Sequence, residues 1–178
     1  LDHPAWPGIR HYYRDCIGLA LDELGLPASA VPQGYLGALL ARYAFRIDVT
    51  PATVAGHLAE IQRCWRPGDP AFDPRREVRL RQDLGDATLF LTGFLWERVG
   101  HRNLRRSLIR LGRGAYRFLA EYHRAAGRPP AAAVFAALDR NFPRHSALLM
   151  YLREAHLDAA GAAERAHALT DREGWGAR

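Results

Sequence analysis

The chain has 178 residues, 48% of them hydrophobic, with 25 basic against 19 acidic side chains for a formal charge of +6. These are the proportions of one ordinary globular domain, which excludes a disordered or membrane-embedded class and closes a core without disulfides or a structural metal. No apolar run approaches the length of a bilayer span, and the first residues, LDHPAWPGIRHYY, lack the basic-then-apolar plan of a secretory leader. A cytoplasmic location without a membrane partner is therefore expected.

Every basic residue is arginine, and Ala, Gly, Pro and Leu are abundant, as in a GC-rich bacterial genome. Arginine as such therefore carries little functional meaning here, and the net charge points to an anionic partner only if it gathers on one face. Cys16 and Cys64 lie far apart, which supports two buried free thiols rather than a disulfide framework or a zinc site. The chain begins at Leu1 and its only methionine is Met150, which fits a trimmed sequence, a processed mature end or a non-standard start codon.

Apolar residues recur at intervals of three and four almost throughout, and the strict alternation of strands does not occur. About seven helices follow. The first, near 8–24, gathers Ile9, Tyr13, Cys16, Ile17, Ala20 and Leu24 on one face, with Gly25 placed to end it and Pro27 to prevent continuation. The second, near 32–46, carries Tyr35, Leu36, Leu39, Leu40, Tyr43 and Ala44. Thr50 followed by Pro51 starts a third, with Val54, Leu58 and Ile61 inward. The segment RPGDPAF, residues 66–72, is the clearest loop.

Asp73 and Pro74 open a fourth helix, expected over 74–98, which is apolar nearly all round from Ala87 to Trp96. A helix without a polar face is covered on several sides, so this segment is expected to be the central one, and Gly93 within it marks a close neighbour. The fifth helix, near 104–126, puts Leu104, Leu108, Leu111, Ala115, Leu119 and Tyr122 inward and arginines outward, before Gly127 ends it. A short sixth runs from Pro130 to about Asn141. The seventh starts at Pro143 with Leu148, Tyr151 and Leu152, and residues 159–178 are expected to fray.

Asp86 stands at the entrance of the apolar helix, where an ionised carboxylate needs a charged partner or several hydrogen bonds. Gln82 one turn earlier is neutral, so that partner has to come from another helix. A small-molecule pocket oriented by Asp86 and lined by Phe90, Phe94, Trp96 or Tyr116, with Arg113 nearby, is one functional reading. A second uses Arg106, Arg110, Arg113 and Arg117, whose spacings of four, three and four align four guanidinium groups to track phosphates. Residues 40–59 supply another nucleic-acid signal, since Ala44, Asp48, Val49, the capping Thr50, Thr53 and Val54 fall in helix-turn-helix order. Against it, His57 occupies a position that wants an aliphatic residue.

Metal and cofactor chemistry find no support. Glu-x-x-His spacing occurs once, at Glu164 and His167, whereas bundle carboxylate sites want it on facing helices with further glutamates. No GxSxG elbow or phosphate-cradling glycine loop appears, and Ser107 and Ser146 have no readable base.

The pattern GD, two residues, LF, two residues, GF over 85–94, then GRGAY at 112–116, resembles a family of uncharacterised helical bacterial proteins. An early helix with Tyr35, Leu36, Leu39 and Leu40 belongs to the same resemblance, which covers about two thirds of the chain. It implies an all-α fold and no assigned activity. Where an aromatic-proline pair might follow, this chain has Leu95, Trp96 and Glu97.

The sequence thus predicts a single-domain, all-α bundle around residues 74–98. Its expected role is non-catalytic: a binding or adaptor protein that contacts another protein or a second copy of itself, with nucleic-acid binding and small-molecule binding as alternatives.

Overall fold

The computed structural model describes residues 6–28, 31–43, 49–64 and 73–156. They form α1 (Trp6–Glu23), α2 (Gln33–Tyr43), α3 (Pro51–Cys64), α4 (Pro74–Gly93), α5 (Arg102–Ala125), α6 (Pro129–Arg140) and α7 (Phe142–His156), with a 3-10 turn at Trp96–Val99. No strand occurs among the described residues, so the all-α bundle of seven helices stands as expected. The candidate loop at 66–72 and the tail at 159–178 lie outside the described residues, as does the side chain of Cys64. Cys16 is a buried free thiol.

Local chemistry sets the helix ends. Asp73 caps α4 by accepting the Arg75 amide at 2.9 Å, and Pro74 at the first position gives up no hydrogen bond there. Gly25, Gly100 and Gly127 all have φ near +65°, the left-handed conformation that ends or reverses a helix and that glycine adopts without a Cβ clash.

α4 is the axis of the bundle, packed against α3, α5 and α7 and touching α2, while α1 lies on α2 and α7 and α6 lies on α5. Every residue from Leu84 to Gly93 is buried. With no water to meet, the Thr88 and Thr92 hydroxyls donate back to the carbonyls of Leu84 and Thr88, each at 2.8 Å. Glycine lets the neighbours approach. A Cβ at Gly93 would lie 2.8 Å from Leu149 Cβ and 2.9 Å from the Ser146 carbonyl, and one at Gly112 would collide with Thr88 and Phe142. The close neighbour expected at Gly93 is α7.

Two expectations are corrected. The fourth helix ends at Gly93 rather than near 98, because Leu95 leaves the helical region (φ −113°, ψ 33°) and a 3-10 turn swings the chain toward α5. Arg153 of α7 steadies this break, donating to the Phe94 carbonyl at 2.8 Å and to Glu97 at 2.9 Å. Leu104, expected inward, is exposed because it lies in the first turn of α5, at the edge of the bundle. Among the described residues no helix is long and apolar enough to cross a membrane, and no group of three or more potential metal ligands gathers.

Candidate functional site

Asp86 is buried at the junction of α2, α4 and α5, with 1% of its surface exposed. Its Oδ1 accepts from the hydroxyls of Tyr35 at 2.6 Å and Tyr116 at 2.9 Å, and its Oδ2 accepts from Arg42 Nη1 at 2.8 Å. The charged partner thus comes from another helix, as the lack of a basic residue one turn away on its own helix requires. Arg42 is 35% exposed and also lies 3.7 Å from Asp83, so this arginine connects the buried carboxylate to solvent. Gln82 donates to the Tyr35 hydroxyl at 3.4 Å.

Burial pushes the Asp86 carboxyl from 3.8 up to about 6, against the pull of Arg42 and the two tyrosine hydrogen bonds. Burial likewise drives Tyr35 and Tyr116 well above 10, reinforced by the Asp86 charge, so both phenols keep their protons and act as donors. The rings are enclosed by aromatic neighbours: Phe135 lies 5.5 Å from Tyr35 and 6.0 Å from Tyr116 between centroids, and Phe142 5.9 Å from Tyr116. Gly85 makes room for this arrangement, since a Cβ there would fall 2.7 Å from the Tyr116 ring. Both oxygens of Asp86 are therefore occupied by the protein's own donors. The network ties three helices together.

Of the residues grouped by sequence around Asp86, only Tyr116 meets it. Phe90 and Phe94 stack on each other at 5.1 Å, and Phe90 stacks on Tyr43 at 4.9 Å, forming a separate aromatic column along α4. Trp96 is 37% exposed, in the 3-10 turn. Arg113 turns to α6, where its Nε donates to the Asp139 carbonyl and to Asp139 Oδ1, both at 3.0 Å. Sequence reasoning missed Arg42 and Tyr35 as partners of Asp86, and Asp139 entirely.

Asp139 also takes Arg117, whose Nε donates to Oδ2 at 3.1 Å and whose Nη2 lies 3.5 Å from Oδ1. This contact raises Arg117 further above its ordinary value. The stripe's other two arginines, Arg106 and Arg110, are exposed, whereas Arg105 reaches Ser146 of α7 at 3.5 Å. At 100° per residue, Arg102, Arg106, Arg110, Arg113, Arg117 and Arg124 fall within an arc of about 80° and run about 33 Å along α5. Arg102, Arg106, Arg110, Arg117 and Arg124 are exposed, and Arg110 reaches only to Ser107 at 3.4 Å. Residues 94–156 hold 12 arginines against 4 acidic residues, whereas residues 1–93 hold 10 against 11. The whole positive excess of the chain thus resides in α5, α6, α7 and the turn before them.

The helix-turn-helix candidate fares differently. Thr50 and Thr53 cap each other across the start of α3: the Thr50 amide donates to Thr53 Oγ1 at 3.1 Å and the Thr53 amide to Thr50 Oγ1 at 3.4 Å. α2 rests mostly on α1 and α3 on α4, so the two helices are held mainly by different neighbours. The intervening turn, with Ala44 and Asp48, lies outside the described residues. Comparison with protein-family models, with curated proteins and with solved structures gave no match for this chain.

Proposed function

We propose that this protein is a non-catalytic nucleic-acid-binding bundle that lays the outer face of α5 along a phosphate backbone. The observation that carries this reading is the segregation of charge: six arginines in one arc, within a region that holds the molecule's entire positive excess. A GC-rich genome replaces lysine by arginine but does not move charge to one side of a molecule. Guanidinium groups one helical turn apart, about 6 Å, supply repeated donors to a chain of phosphates. Exposed aromatic rings do not interleave with them, since Tyr116 is buried and Arg81 covers the Phe118 ring at 4.1 Å. Backbone contact with a duplex therefore fits this face better than base stacking on a single strand.

The test is fluorescence anisotropy with a labelled duplex of mixed sequence across a salt series. Four phosphate contacts give a slope of log K against log salt of about −3.6, or about a hundredfold loss between 50 and 200 mM. Arg106→Glu with Arg110→Glu, both exposed, should flatten that slope by about two. Absence of duplex binding at low salt, or capture by anionic lipid vesicles and not by duplex, overturns the reading.

A second reading, contact with another protein or a second copy, draws on Tyr12 and Leu19 of α1. They are 58% and 55% exposed and stand seven residues apart on one ridge. Sedimentation of wild type beside Tyr12→Ser/Leu19→Ser checks it: a mass above the monomer that the double variant lacks supports this reading, and a monomer in both removes self-association.

A further inference from the structure

We infer that Asp139 is a positioning residue which holds Arg113 and Arg117 side by side as a preformed clamp for one phosphodiester group. The inference rests on the nucleic-acid reading of α5 and names the point on that face where a phosphate is gripped. Arg113 and Arg117 are one turn apart on α5, and a single carboxylate from α6 spans both. Each guanidinium meets it through the Nε edge: Arg113 uses Nε alone, and Arg117 uses Nε with a longer contact from Nη2. The terminal nitrogens of Arg113 and one of Arg117 are left for another acceptor.

Exposure agrees with this division of labour. The Asp139 side chain is 12% exposed, whereas those of Arg113 and Arg117 are 40% and 59% exposed. The carboxylate sits at the base of the pair, with solvent above. An arginine fixed at its inner edge keeps a planar, outward pair of N–H donors in place, so less side-chain freedom is lost when a phosphate arrives. The two-nitrogen fork of Arg113 beside the free terminal nitrogen of Arg117 is enough to satisfy both free oxygens of one phosphate. Among the described residues no carboxylate holds the other arginines of the arc in this way, and Arg110 has the 3.4 Å contact to Ser107.

The clamp and simple electrostatics predict opposite signs for one substitution. Asp139→Asn removes a negative charge from the binding face, so long-range attraction alone should tighten duplex binding. If Asp139 positions the pair, the same change weakens binding, because the asparagine amide has one oxygen where the carboxylate has two and its NH2 repels a guanidinium. The measurement is duplex affinity of wild type and Asp139→Asn over the salt series, with helical content by circular dichroism as the fold control. The expected result is weaker binding at every salt concentration and a slope shallower by about 0.9, the share of one phosphate contact.

Equal or tighter binding by Asp139→Asn overturns the clamp while leaving the nucleic-acid reading intact. Failure of the wild type to bind removes that reading and the clamp with it. Should Asp139→Asn lose helical content, Arg113→Lys with Arg117→Lys takes its place, keeping both charges and abolishing the forks. Weaker binding with a nearly unchanged slope is expected there, because lysine keeps the charge and loses the fork, and unchanged binding overturns the inference.

Discussion

Replacing Asp86 by asparagine isolates the cost of burying a charge at the centre of the bundle. The amide keeps an oxygen for Tyr35 and Tyr116, and Arg42, partly exposed and near Asp83, turns toward water. What disappears is the titration. In the folded protein the carboxyl holds its proton up to about pH 6, while in the unfolded chain it releases it near 3.8. Between those values the folded state binds more protons, so this group's contribution to stability is greatest below pH 4, falls as pH rises through 6, and is level above. At 1.36 kcal/mol per pH unit, the full span amounts to about 3 kcal/mol, of which about 2 kcal/mol falls between pH 4.5 and 7.5. Urea unfolding of both proteins, followed by circular dichroism at several pH values, measures it, because every other titrating group cancels in the difference. Wild type should lose about 2 kcal/mol relative to Asp86→Asn across that interval. A flat difference, or one of opposite sign, would show that Arg42 and the two phenols outweigh burial, and the reasoning would fail.

Other substitutions report on the same core. Tyr35→Phe removes the 2.6 Å hydrogen bond to a buried carboxylate and should cost about 1.5–3 kcal/mol at pH 7.5, less at pH 4.5, as read by thermal melts at the two pH values. Gly112→Ala and Gly114→Ala, two residues apart on one helix, should move in opposite directions. The first drives a methyl into Thr88 and Phe142 and should destabilise by about 1–3 kcal/mol. The second meets nothing within 4 Å and should stabilise by about 0.5–1 kcal/mol through helix propensity. Melting temperatures that shift the same way would contradict the packing described between α4 and α5.

Helix number and the central place of α4 were legible because they depend on apolar periodicity, which is local. The end of α4 was not, since its apolar run continues through Leu95 and Trp96; the readable stop was Gly100, whose positive φ closes the turn. The need of Asp86 for a partner from another helix followed from its burial and from the lack of a basic residue one turn away on its own helix. The identity of that partner, Arg42, depends on how α2 is rotated against α4, which no spacing within one helix encodes. Arg113 was grouped with Tyr116 around Asp86 on side-chain chemistry alone, yet about 60° of helix separates them, enough to send one to α6 and the other to Asp86. Asp139 had a signal that went unread. In an antiparallel helix pair turning at Gly127, residues equally far from the turn come level, which puts Asp139 opposite Ala115 and between Arg113 and Arg117.

The ten residues from Leu84 to Gly93 have other helices in place of solvent on every side. Protein therefore does for α4 what lipid does for a buried span: hydroxyls turn inward to their own backbone, and small residues replace large ones where partners come close. A helix so enclosed has no partial way out. Its amides meet water only when α3, α5 and α7 come away together, so hydrogen exchange in this segment reports the unfolding of the whole molecule, while the ends of α1 and α6 exchange by opening alone. The slowest amides of the protein should thus lie in the stretch that looks, from its threonines and glycines, least suited to form a stable helix.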